Sequence, residues 1–194
     1  MKRETILKII DFLEEKEGKE IPKALVDSIK NYKLIKELIK ELETHPDGTQ
    51  YRYDDHLELN NSNITKLPND LYVEGALDLT DCKQLTKLPD KLHVDGPLIL
   101  VDCKQLRGLP DNLYVGGYLD LRGCQYLTEL TDNLYVKGSL GLGGTNITEL
   151  PNNLYVGINL YINNTPLAKN YTDDEIRDIV KLPMDDGIKG QIYR

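Results

Sequence analysis

Three groups of residues in this 194-residue chain have the types and spacing to do chemistry. Cys82, Cys103 and Cys124 are its only cysteines, and they recur every 21 residues. With one thiol per stacked layer they would form a line with steps of ~4.8 Å. A line of three cannot surround a tetrahedral zinc ion, and parallel Cβ vectors suit a disulfide poorly. Ser62, Thr145 and Thr165 take the same place in the other repeats. The expected role is therefore a small inward donor to backbone carbonyls, kept reduced. Asp54-Asp55-His56 is the one local acid–imidazole cluster, but no second His, Cys or nucleophile accompanies it. It reads as solvated linker. Gly141-Leu142-Gly143-Gly144 is rich in glycine, yet neither Lys-Ser/Thr nor a helix start follows, so it reads as a repeat strand with glycines facing outward. No catalytic residue, metal site or cofactor is expected.

The elements that must hold these residues come from an internal period. Leu57, Leu77, Leu98, Leu119, Leu140 and Leu160 open successive units of 20 or 21 residues. So short a period predicts one solenoid coil per repeat, stacked on its neighbours. The aligned unit is L-x-L-x-x-[C/T/S], then N-I or x-x-L, then T-x-L-P-x-x-L-x-V-x-G. Its first triplet alternates as a half-buried strand does. Leu57, Leu59, Ile64, Leu67, Leu71 and Val73 are expected to point inward, with Leu98, Leu100, Leu106, Leu109, Leu113 and Val115 in the same places two coils on. Six buried aliphatics stabilise a coil by roughly 9–18 kcal/mol. Ordering its backbone costs roughly 20–40 kcal/mol. A coil cannot stand alone. Pro68, Pro89, Pro110 and Pro151 mark a convex return path that need not join a continuous sheet, with Thr131 breaking the pattern. Gly75, Gly96, Gly117, Gly138 and Gly157 are placed at the corner before each new strand. Tyr72, His93, Tyr114, Tyr135 and Tyr155 share one place and should stack as an aromatic ladder.

LGLGGTNITELP and LDLTDCKQLTKLP resemble the strand-bearing segment of leucine-rich repeats, with Asn, Cys or Thr after L-x-L-x-x. The length resembles the shortest subtype, met in bacterial effector proteins and in other bacterial and phage proteins. The return segment NLYVGGY departs from the effector pattern, which has a second L-P there. The resemblance implies an α/β leucine-rich-repeat solenoid, a right-handed coil with a parallel concave sheet and capped ends. The ubiquitin-ligase activity of some effector relatives needs a long domain after Leu167, so it is not expected here. Residues 1–50 are expected to form a helical N-terminal cap, residues 51–168 the solenoid of about six coils, and residues 169–194 a C-terminal cap. In the last, Thr172-Asp173-Asp174-Glu175 has capping-box spacing for a helix starting near Asp173, and Ile188 to Tyr193 a short strand.

The net charge of −8 is uneven: residues 49–168 hold 9 basic and 15 acidic groups, an excess of six. Such a surface repels phosphate backbones, so nucleic acid is not an expected partner. No apolar run approaches membrane-spanning length and no secretory signal is recognisable, so a cytoplasmic protein off the membrane is expected. The expected site is the concave face: Asp78, Asp81, Ile99, Val101, Asp102, Tyr118, Asp120, Arg122 and Tyr161. Exposed Ile99, Val101 and Tyr118 would form its centre and the acids its rim, as in protein interfaces. Beside them, Gly141 and Gly143 should leave a notch between Arg122 and Tyr161. The preferred reading is a monomeric, non-catalytic module binding a protein of basic or mixed charge. A self-associating assembly component is the alternative, and glycan binding through Tyr118 and Tyr161 a lesser one.

Overall fold

The computed structural model describes residue 40 and residues 50–151, 153–180 and 187–194. The chain divides into two compact units, Met1–Glu41 and Leu42–Arg194. The expected helical cap over residues 1–50 lies almost wholly outside the described residues.

The second unit is a solenoid of parallel strands with a period of about 21 residues. Each coil crosses two sheets rather than one. The first sheet contains β2 (Leu57–Glu58), β4 (Leu77–Asp78), β6 (Leu98–Ile99), β8 (Leu119–Asp120), β10 (Leu140–Gly141), β12 (Leu160–Tyr161) and β13 (Ile192–Tyr193), in that spatial order. The second contains β1 (Tyr51–Tyr53), β3 (Leu71–Val73), β5 (His93–Val94), β7 (Tyr114–Val115), β9 (Tyr135–Val136) and β11 (Tyr155–Val156). The return segment was read as a path that need not join a continuous sheet. It forms this second sheet because its Leu-x-Val triplet repeats the alternation of the first, with Leu71 and Val73 buried and Tyr72 between them half-exposed.

In the first sheet the ladder extends past the short strands. Leu77, Leu79 and Asp81 donate backbone N–H groups to Pro97, Ile99 and Val101 at 2.8–2.9 Å, and each later coil up to β12 repeats the set. The leucines alternating along it are fully buried, among them Leu57, Leu59, Leu77, Leu79, Leu98 and Leu100. Leu109 is the exception among the expected core positions, being only half-buried. Gly108 precedes it where an added Cβ would meet nothing within 4 Å, so one flank there lacks a covering side chain.

Two left-handed corners punctuate the coils. Asn61, Asp81, Asp102, Gly123, Gly144 and Asn164 occupy one at φ between 56° and 78°, and Asp70, Lys91, Asn112 and Asn133 the other at 56–59°. Asn, Asp and Gly tolerate this conformation best, which explains their recurrence there. The glycine column works differently. At Gly75, Gly96, Gly117 and Gly138 a Cβ would lie 2.5–2.7 Å from backbone atoms of the preceding coil. Gly157 was expected to continue this column, but the final step is shorter, and Ile158 takes the place and donates to Gly138 O at 3.1 Å.

The end of the unit carries α1 (Pro166–Asn170) and α2 (Asp173–Ile179). Thr172 caps α2 in a reciprocal box with Glu175, as its spacing predicts. Beyond it, Ile188 bridges to Val156 of the second sheet and β13 pairs with β12 of the first. The expected last strand is therefore part of a degenerate further coil. Arg177 of α2 fastens it by donating to the carbonyls of Ile188 at 2.9 Å and Gly190 at 2.6 Å.

Candidate functional site

The thiols occupy the inward corner. Cys82, Cys103 and Cys124 are unpaired, buried, and donate to the carbonyls of Leu59, Leu79 and Leu100 in the preceding coil at 3.0–3.2 Å. Thr145 and Thr165 fill the same corner but donate within their own coil, to Leu142 and Ile162 at 2.7 and 2.6 Å. Burial raises the Cys82 thiol and pushes Cys103 and Cys124 up to about 12. Thiols held so far above neutral pH are poor nucleophiles. Among the described residues no group of three or more His, Cys, Asp or Glu side chains could hold a metal ion. His56, read from sequence as solvated linker, instead accepts the Ala76 N–H at 2.8 Å and so braces the first corner.

On the outward side of the first sheet, strand register creates one continuous row: Glu58, Asp78, Ile99, Asp120, Gly141, Tyr161 and Tyr193. Several residues expected to form the binding face lie in this row or beside it, though not all as free surface groups. Ile99 and Val101 are half-buried rather than exposed. Asp78 accepts the Thr80 N–H at 2.9 Å. Asp81 and Asp102 sit at left-handed corners, where Asp81 pairs with Lys83 at 3.2 Å and the Asp102 carboxylate leans over Gly123. Asp120, expected at a solvated rim, is only 8% exposed. Arg122 covers it in a forked pair, with Nε 2.8 Å from Oδ1 and Nη2 2.6 Å from Oδ2. That contact raises the already high pKa of the guanidinium.

Tyr118, Asp120, Arg122 and Tyr161 come together around a depression of about 380 Å³, with Ser139 and Asn163 completing its walls and Gly141 its floor. The expected notch is present at Gly141 but not at Gly143, where the Asn163 side chain takes the space. Tyr118 is 43% exposed and Tyr161 36%. Asp78, Asp81, Ile99, Val101 and Asp102 lie outside the depression on the flanking coils. Ser139 and Tyr193 were not among the expected face residues. Tyr193 stacks on Tyr161 with ring centroids 4.8 Å apart and planes 10° from parallel. A signal for it did exist, since Gln191-Ile192-Tyr193 repeats the character of Asn159-Leu160-Tyr161.

The outer face of the second sheet carries the aromatic ladder. Tyr72, His93, Tyr114, Tyr135 and Tyr155 stack in sequence at centroid distances of 4.4–5.4 Å, all within 14° of parallel. Asp95 receives hydrogen bonds from Tyr72 and His93, which lower its pKa, and the same contact raises that of the Tyr72 phenol.

No protein-family model matches the chain, and no curated protein or solved structure shows significant similarity to it. Among the described residues no helix is long and apolar enough to cross a membrane.

Proposed function

We propose that this chain is a leucine-rich-repeat protein of the short bacterial or phage type, and that it binds a partner protein through the outward face of its first sheet. The observation that carries the reading is the pair Tyr118 and Tyr161, both exposed on that face and both lining the depression over Gly141. Large aromatics beside a guanidinium are the side chains that most often anchor protein interfaces. Half-buried Ile99 and Val101 extend an apolar strip along the flanking coil, and Asp78, Asp81 and Asp102 supply its acidic margin. The acidic excess of the repeat region favours a partner of basic or mixed charge.

Capture from lysate tests the face. Y118A/Y161A should lose whatever the wild-type chain retains, while Y126A/I158A, two exposed apolar residues away from the depression, should retain it. Asp120 is left intact because its removal would strand Arg122. Undiminished capture by Y118A/Y161A overturns the assignment.

A further inference from the structure

The described glycines differ in what a side chain would meet: Gly108 would meet nothing within 4 Å, Gly143 would meet the Asn163 side chain at 2.9 Å, and Gly141 is the one glycine in the outward row of the first sheet. Gly75, Gly96, Gly117 and Gly138 exclude a Cβ by backbone contact, and Gly123 and Gly144 lie at φ of +78° and +73°. Gly141 has neither reason: its nearest non-local atoms would be Asp120 Oδ1 at 3.3 Å and Arg122 Cγ at 3.7 Å, both on side chains. Glycine within a strand is destabilising relative to residues with a side chain. Here it opens the floor of the depression.

The spacing of layers defines what the opening can hold. Asp120, Gly141, Tyr161 and Tyr193 are consecutive in the register row. Tyr193 backs Tyr161 at 4.8 Å on the side away from Gly141. Strands ~4.8 Å apart leave ~9.6 Å between the layers flanking Gly141, enough for one flat group in contact with both. On the far wall, the forked bond draws the Arg122 guanidinium back toward Asp120. The second sheet holds a filled version of this order: Arg52 lies 4.6 Å over the Tyr72 ring, which stacks 4.8 Å from His93. On the first sheet the guanidinium and the outer ring are present and the middle layer is missing. Asp120 and Arg122 neutralise one another at 2.6 Å, so the slot favours a neutral occupant over an ammonium or a carboxylate.

We propose that the Gly141 slot receives one aromatic side chain of a protein partner, clamped between the Tyr161 ring and the Arg122 guanidinium. The proposal rests on the docking reading and locates its anchor.

The test uses the full chain labelled with 15N and titrated with N-acetyl-tryptophanamide, with N-acetyl-leucinamide and methyl glucoside as comparisons. The tryptophan probe should give saturable amide shifts at Ser139, Gly141 and Tyr161, with the comparison probes about tenfold weaker or silent. G141Y should abolish the shifts and raise the melting temperature, because its own ring completes the row. If G141Y fails to fold, Y161L serves instead and should also lose the shifts. Absence of saturable shifts at Gly141, equal binding of the glucoside, or unimpaired binding by the folded variant overturns the slot. Loss of capture by Y118A/Y161A without probe binding removes the slot and leaves the docking face. Probe binding with capture unaffected does the reverse, and it overturns the protein origin of the occupant.

Discussion

Single residues here are selected for the backbone they allow as much as for what they present. The Cys/Ser/Thr position shows this, because three chemistries meet one demand for a compact inward donor. The thiols reach across to the preceding coil while Thr145 and Thr165 turn back on their own. A pH dependence follows. The folded thiols titrate above their ordinary value, so from about pH 9 to about 12 the unfolded chain releases protons that the folded chain retains. Their stabilising contribution is complete below the unfolded pKa and is lost as pH rises. Urea unfolding should therefore show wild-type stability falling between pH 8 and 11 more steeply than C82S/C103T/C124T, whose hydroxyls do not titrate there. Equal slopes would contradict the assignment. Glycine offers a second contrast. G117A should cost about 2 kcal/mol or more, since its Cβ would meet the backbone of Gly96 and Pro97 at 2.5–2.8 Å. G141A should stay within about 1 kcal/mol of wild type, since its one tight neighbour would be the Asp120 carboxylate at 3.3 Å rather than backbone. Thermal melts of the two variants check both.

At the scale of elements, legibility depended on whether a pattern stated its own physical cause. The leucine period revealed the stacked coils, the Tyr/His recurrence revealed the ladder, and Thr172 with Glu175 revealed the start of α2. The second sheet was missed because a three-residue Leu-x-Val segment following a proline reads as irregular return, although the same alternation was in view. The left-handed corners were missed because Asp81 and Asp102 were read as acids of the binding face. That misreading carried into the candidate site, where corner aspartates and the clamped Asp120 were counted as free rim charges. The notch was legible at Gly141, which lacks a side chain in any register, but not at Gly143, where the Asn163 side chain takes the space. Tyr193 was overlooked despite the likeness of Gln191-Ile192-Tyr193 to Asn159-Leu160-Tyr161, since its place in the row depends on the chain returning after α2. The ladder itself can be tested. Tyr114 stacks on His93 at 4.5 Å and on Tyr135 at 5.4 Å, so Y114A removes two contacts and should cost about 1–3 kcal/mol. Y126A, exposed and outside the ladder, should change stability by less than about 0.5 kcal/mol. Equal losses in chemical denaturation would mean that stacking contributes nothing beyond area.

For the solenoid unit as a whole, stability is carried from coil to coil, so an end is worth more than its own contacts. Each coil meets only its neighbours, and a terminal layer that opens exposes the next edge to water or to another strand. At the C-terminal end the first-sheet ladder is shorter: Leu160 and Ile162 donate to Gln191 and Tyr193, but the corner donation that Asp81, Asp102, Gly123 and Gly144 make at earlier steps has no counterpart among the described residues. Its security comes from side chains. Arg177 binds the Ile188 and Gly190 carbonyls, while Arg194 pairs with Asp173 at 2.7 Å and donates to Ala168 and Tyr171. Removing Arg177 should therefore loosen this end first and spread inward. In native-state hydrogen exchange, R177A should lose protection at Leu160 and Ile162, less at Leu140 and Leu142, and least at Leu77 and Leu98. A variant that lost protection equally at every coil would show that the unit opens as one block. The same variant links the end to the candidate site, because Tyr193 holds the ring of Tyr161 in place. As β13 frays, the 4.8 Å stack loosens and the wall of the Gly141 slot with it, so capture should weaken in R177A even though Arg177 lies outside the depression.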